Sequence, residues 1–193
     1  MIIRKLFKFE NAHIVRGCTT QRCSENIHGH SYKVEILLRS QYLDHGQMVY
    51  DFGLVKHTMK QLVDSFDHAI TLWSEDDPQY LEDMKKHSQR WVQLPVSPSA
   101  EQFARVFFLA IEQILQASKM VNDEKEVVLD SVIVHETDSG YAQAFKDDAH
   151  SENMGLISLD TILFSDAIKS EWGDKNWWKK ILSNILIINP SKI

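Results

Sequence analysis

The sequence predicts an α+β fold, with an antiparallel four-stranded sheet and two helices in the order ββααββ, followed by a C-terminal helical extension. Three observations predict it. Residues 2–13 and 27–39 alternate apolar and polar side chains with a period of two, the pattern of half-buried strands. Residues 51–65 and 99–115 repeat apolar side chains at helical spacing instead. A β-branched run from Lys125 to Glu136 then meets Asp138-Ser139-Gly140, a hairpin turn, and returns from Tyr141 to Lys146. These elements form one domain, 1–147, and residues 148–193 are an addition to it.

In the first strand Phe7 and Phe9 share parity with His13. In the second, Tyr32, Val34, Ile36 and Leu38 share one face, and the same parity carried backwards includes His28 and His30. The polar stretch Arg16–Arg22 between them has no periodicity and reads as a loop. Asp44-His45-Gly46 marks a turn. Asp51 is a cap for a helix running to about Ser65, with Val55, Met59, Leu62, Val63 and Phe66 as its apolar stripe. Asp67-His68 follows directly, an acid beside an imidazole that it can orient. Residues 74–94 carry acids before bases, as in a solvated surface helix, and His87 there is read as a surface residue. Ser99 caps the next helix. Glu101 is explained as the acid of its first turn, and Phe103, Val106, Phe107, Ala110, Ile111, Ile114 and Leu115 face the core.

In the extension, Leu159, Ile162, Leu163, Ile168 and Trp172 fall at helical spacing. Trp177, Trp178, Ile181, Leu182, Ile185 and Leu186 do the same after a cap candidate at Asp174. Two short helices packed on the body or on a neighbouring subunit are expected. Tryptophans beside Lys175, Lys179, Lys180 and Lys192 leave a membrane-surface helix as the alternative.

Composition narrows the classes. The 193 residues are 44% hydrophobic and 25% charged, as in ordinary globular domains. A formal net charge of −6 argues against nucleic acid as a partner, since phosphate backbones call for a basic surface. No apolar run reaches the roughly 18 residues that span a bilayer, so no membrane partner is expected. Met1-Ile2-Ile3-Arg4 enters the first strand without a leader pattern. Two cysteines make no disulfide framework, and a cytoplasmic location is expected.

If the first two strands pair antiparallel, His13, His28 and His30 meet at one end of one face. Three neutral imidazoles with an open fourth position suit a catalytic Zn2+ rather than a structural one.

Phe9-Glu10-Asn11-Ala12-His13, Cys23 and His28-Gly29-His30 resemble the signature of the 6-carboxy-5,6,7,8-tetrahydropterin synthase / 6-pyruvoyl-tetrahydropterin synthase family. Gly46-Gln47-Met48-Val49-Tyr50-Asp51-Phe52, Phe66-Asp67-His68, Pro98-Ser99-Ala100-Glu101 and Val134-His135-Glu136-Thr137 follow in that family's order. The resemblance implies the tunnelling fold, whose subunits join their sheets into a barrel, as hexamers built from two trimers. It implies a zinc-dependent lyase that takes 7,8-dihydroneopterin triphosphate to 6-carboxy-5,6,7,8-tetrahydropterin. Triphosphate and acetaldehyde are lost, and the product serves queuosine (7-deazapurine) biosynthesis. By the same resemblance His13, His28 and His30 hold the metal, Cys23 accepts the proton, His68 with Asp67 is the relay, and Glu136 anchors the pterin.

Two departures keep alternatives open. Cys23 precedes His28 by five positions, between the spacings of the carboxy and pyruvoyl branches, and Cys18 is a second thiol nearby. Glu25 stands where a third branch, cleaving dihydroneopterin to 6-hydroxymethyl-dihydropterin for folate, places a glutamate base. The pyruvoyl or hydroxymethyl product, or pterin binding without catalysis, are the competing readings.

Overall fold

A computed structural model describes residues 1–188. Strand β1 (Ile2–His13) pairs antiparallel with β2 (His28–Arg39) in the register Phe7 to Val34, Phe9 to Tyr32 and His13 to His28. A one-residue slip would turn every one of these side chains outwards. Here the Phe9 and Tyr32 rings stack 4.8 Å apart with 9° between their planes. The connection between the strands includes a short helix, α1 (Gln21–Ser24), which sequence periodicity does not reveal.

After β2 come α2 (Phe52–Val55), α3 (Thr58–Asp64), β3 (Ala69–Trp73), α4 (Pro78–His87) and β4 (Trp91–Leu94). The long helix α5 (Ala100–Gln116) leads to β5 (Ser118–Lys119), β6 (Val128–His135), β7 (Tyr141–Ala144) and α6 (Lys146–Ala149). A 3-10 turn (Leu159–Thr161), β8 (Leu163–Phe164), α7 (Asp166–Glu171), α8 (Trp177–Leu182) and β9 (Ile187–Ile188) complete the described chain.

The α+β class holds, and the order β7-β6-β2-β1 supplies the four antiparallel strands expected. The sheet is wider than predicted. It continues through β3 and β4, both parallel additions, to β8, seven strands in all. Ala69–Trp73 is buried on both faces and therefore shows no alternation, and Trp91–Leu94 is four residues inside a charged stretch; both are too short for a periodic signal. The single helix expected over 51–65 is two pieces, because His57 (φ −80°, ψ −96°) leaves helical geometry between them. Asp51 does cap the first, accepting from Gly53 N. Helix α4 is the solvent-facing element expected of its charge pattern, with no buried residue, and Ser99 caps α5 by accepting from Gln102 N.

Helix α5 buries Phe103 and Phe107 against the face of the sheet that carries Phe9, whose ring they meet at 6.0 and 5.8 Å. The other face remains open and polar, with Lys8, Glu10, Ser31 and Lys33 on it, and with Glu35 held between Arg4 (2.8 Å) and His135 (2.9 Å). The extension joins the body's core. Phe164 pairs across from Val92, touches Trp172 and Trp178 (ring centres 5.3 and 5.4 Å apart), and Trp172 Nε1 donates to Ser65 Oγ at 2.9 Å. Asp174 accepts from Asn176 N just ahead of α8. The last five positions of the extension, Lys192 among them, lie outside the described residues.

Candidate active site

Strand pairing alone assembles the site. His13 ends β1 and His28 begins β2 directly opposite, while His30 stands two residues further on the same face. The ring centres of His13 lie 4.6 Å from His28 and 5.4 Å from His30, and His28 and His30 are 5.2 Å apart. One ring nitrogen from each lies within 4.8 Å of the others.

Backbone carbonyls set the tautomers. His13 Nδ1–H donates to Pro98 O at 2.5 Å and His28 Nδ1–H to Asn26 O at 3.0 Å. Each Nε2 is left with its lone pair, the arrangement that metal-binding imidazoles require. A tetrahedral zinc bonded at about 2.0–2.1 Å would draw such nitrogens to about 3.4 Å, a closure within reach of the partly exposed His28 and His30 rings. The donor set therefore fits the ion that the sequence pattern suggests.

Beneath the histidines lies a phenol–carboxylate pair. Tyr32 OH donates to Glu136 Oε1 at 3.1 Å, and that oxygen stands 3.7 Å from His13 Nε2 and 3.8 Å from His30 Nε2. Burial, then the charge of Glu136, pushes the Tyr32 hydroxyl far up, so it remains a donor. The remaining expected residues are placed separately. Cys23 lies on α1, with its carbonyl accepting from Val15 N (3.0 Å) and its thiol outside the group of converging metal-type side chains among the described residues. Glu25 closes the same helix and is exposed. Asp67 and His68 do touch, Nδ1 to Oδ2 at 2.9 Å, on an exposed turn beside Glu10, whose backbone N–H donates to Asp67 Oδ1 at 2.7 Å. Burial would raise the Asp67 carboxyl, but the Glu10 N–H, His68 and Arg90 outweigh it and hold it below the ordinary range. No described contact joins Cys23, Glu25 or His68 to the histidine trio of the same chain.

Sequence reasoning missed Tyr32 and Pro98 as parts of the site. Tyr32 was legible, two residues beyond His30 on the same parity, yet it reads equally as core. Pro98 acts through its carbonyl, for which no side-chain pattern exists. Volume does not mark the site either: a cleft of about 620 Å³ lies elsewhere, lined by Arg39, Glu112, Leu115, Val128 and Phe145 among others.

Burial pulls the His13 imidazole from 6.5 down to about 4, with the Pro98 hydrogen bond opposing it, so the ring is neutral at pH 7. In metal-free protein the unfolded chain takes up this proton below about pH 6.5, and the folded chain only near pH 4. The unfolded state thus binds more protons across that window, and stability rises with pH through it. The contribution is complete above pH 6.5 and is lost toward pH 4, on the order of 3 kcal/mol in all. Glu35 and Asp67, both held low, act only further into acid. Urea unfolding of metal-free protein between pH 7.5 and 4.5 is expected to show this slope and His13→Gln to flatten it. An unchanged slope in the variant would place the acid sensitivity on another group.

The mixed sheet backed by helices is the fold of the pterin synthases, a class of enzymes, and in this chain three imidazoles and a carboxylate gather at the end of its buried face. The chain belongs to the 6-pyruvoyl tetrahydropterin synthase family, whose model matches residues 2–147. A 6-carboxy-5,6,7,8-tetrahydropterin synthase of Helicobacter pylori strain J99 is 39% identical over 185 residues, covering 95% of this chain and 92% of that protein. That span necessarily includes most of the extension. The Aquifex aeolicus protein of the same name is 30% identical over 159 residues, covering 73% of this chain and 95% of its own. Among solved structures, an uncharacterized protein from Wolinella succinogenes superposes with a TM-score of 0.59 at 19% identity, covering 76% of this chain and 98% of that one. The 6-pyruvoyltetrahydropterin synthase of Plasmodium vivax gives 0.55 at 21%, covering 75% and 97%. The fold is the tunnelling fold. Among the described residues no helix is long and apolar enough to cross a membrane.

Proposed function

We propose that this protein is a zinc-dependent lyase that converts 7,8-dihydroneopterin triphosphate to 6-carboxy-5,6,7,8-tetrahydropterin, releasing triphosphate and acetaldehyde, in the cytoplasmic supply of queuosine precursors. The carrying observation is the convergence of three imidazoles, two with carbonyl-fixed Nδ1–H groups, within reach of Glu136. Similarity over nearly the whole chain to proteins named for that product supports it.

His13, His28 and His30 would hold the zinc, which when bound acidifies hydroxyl and C–H groups of the substrate side chain. Glu136 accepts the adjacent N–H donors of the pterin edge, and Tyr32 OH fixes the carboxylate for that task. Cys23, as thiolate, takes the proton from the side chain. His68, with Asp67 on its Nδ1, passes protons onward. Since Cys23, Glu136 and His68 are all partly or largely accessible in one subunit, association completes the enclosure. The outer edge of β7, and the edge of β1 away from β2 before Asn11, have no strand partner among the described residues, and such edges suit a hexamer of two trimers.

Product analysis tests this. Zinc-loaded protein is incubated anaerobically with 7,8-dihydroneopterin triphosphate, and separately with dihydroneopterin, and the products are weighed by mass spectrometry. 6-Carboxy-tetrahydropterin with acetaldehyde is the expected outcome. A pyruvoyl product or a hydroxymethyl pterin would move the chain to a sister activity, and no turnover of either pterin would overturn the enzymatic reading.

A further inference from the structure

The turn carrying Asp67 and His68 is strained and held from outside. His68 has φ +52°, a left-handed conformation that a residue with a Cβ adopts at a cost of about 1–2 kcal/mol. Its backbone N–H donates to Glu10 O at 2.7 Å, which anchors one side of the turn to β1. The other side is held by Arg90, the residue before β4. Arg90 Nε donates to Asp67 O and Nη2 to Asp64 O, both at 2.9 Å. Asp64 ends α3, so the guanidinium also sits where carbonyls of a helix terminus collect negative charge.

Arg90 is itself fixed by the extension. Its Nη1 is paired with Glu171 of α7. Next to Glu171, Trp172 is buried and donates from Nε1 to Ser65 Oγ, two residues before Asp67. Strand β8, immediately ahead of α7, pairs with β4, and Ser165 N donates to Trp91 O at 3.0 Å, directly beside Arg90. Residues 163–172 therefore grip β4, Arg90 and the end of α3 together.

We propose that Arg90, locked by Glu171 and Trp172, is the positioning residue for the Asp67–His68 relay, and that the C-terminal extension serves as the brace of that relay. The inference rests on the reading of His68 as a proton relay. It gives the extension a task in catalysis rather than in solubility or membrane attachment. Toward the relay turn Arg90 donates to backbone carbonyls, those of Asp67 and Asp64, so it sets where the imidazole stands without entering the reaction.

The test uses full-length, zinc-loaded protein. Arg90→Gln, Arg90→Lys, Trp172→Phe and His68→Asn are compared by kcat and KM on 7,8-dihydroneopterin triphosphate, with the His68 ring followed by nitrogen-15 NMR titration. Small displacements of a catalytic group cost up to about 100-fold. Arg90→Gln is expected to lower kcat at least about tenfold with KM within about twofold, and to shift the His68 titration. Arg90→Lys, which retains charge and one carbonyl contact, is expected to recover part of both, and Trp172→Phe to show a smaller loss in the same direction. An inactive His68→Asn beside an Arg90→Gln of wild-type kcat overturns the brace alone. Wild-type turnover in His68→Asn removes the relay, and the brace with it. A fall in kcat with an unmoved His68 titration, or one that lysine does not relieve, assigns Arg90 a general structural role and also overturns the proposal.

Discussion

Cys23→Ala is expected to keep its zinc and its pterin affinity while kcat falls by about 10²–10⁴-fold, the range for removal of a positioned general base. The separation follows from the placement of the groups. The metal-type nitrogens come from β1 and β2, the carboxylate proposed for the pterin edge, Glu136, from just beyond β6, and Cys23 from α1, which belongs to none of these strands. The α1 loop is not loose. Val15 N donates to Cys23 O, Arg16 Nη1 to Ser24 O (3.3 Å) and Arg16 Nε to the buried Asp76 (3.0 Å), while the guanidinium lies 5.0 Å over the Tyr80 ring. Losing a thiol from the surface of this loop leaves those contacts untouched. Zinc content by elemental analysis, pterin binding by fluorescence and single-turnover rates check the three parts separately. Glu25→Gln is the control. If Cys23→Ala retains most of its turnover and Glu25→Gln loses it, the base is a carboxylate and the hydroxymethyl product becomes the better reading.

Much of the site was legible because it depends on strand parity, the most local of structural rules. His28, His30 and Tyr32 had to share a face once 27–39 was a strand, and Phe7 and Phe9 fixed which face of β1 His13 would join. Pairing brought the trio together with no information from elsewhere. Asp67-His68 was legible only as a dipeptide; that the two groups touch depends on a turn with φ +52° at His68, and no side-chain pattern encodes that. Strands β3 and β4 were hidden for another reason. A strand covered on both faces has no alternation, and a parallel neighbour is specified by long-range packing rather than by a turn between the two. Pro98 and Asn26 act through carbonyls, which every residue possesses. What the sequence conceals here is therefore chiefly backbone chemistry and non-local pairing.

Arg105→Met is expected to destabilise the fold by about 3–5 kcal/mol, the combined cost of several buried carbonyls that lose a charged donor. Arg105 stands on the core side of α5, 2% exposed, with no carboxylate in ion-pair contact among the described residues. Burial lowers its pKa while the charge of Asp148 raises it, yet a guanidinium starts so high that it remains a cation. Its donors are spent on oxygens instead: Nε on Asp148 O, Nη1 on Gln102 Oε1 and Met154 O, all at 2.9 Å, and Nη2 on Gly155 O at 2.6 Å, with Ala149 O and Ser151 O at 3.5 and 3.4 Å. Methionine fills much of the space and supplies none of these bonds. Each carbonyl left dry costs about 1–3 kcal/mol, and those of the exposed Met154 and Gly155 can turn to water, which caps the total. Since five of the six acceptors belong to residues 148–155, the loss should be local first. Amide exchange is expected to rise there before it rises in β1 or β2, and urea midpoints measure the global part. Arg105→Lys, with one charge and three donors, should fall between wild type and methionine. If methionine costs less than about 1 kcal/mol, the carbonyls have other partners and the extension is anchored by its tryptophans alone.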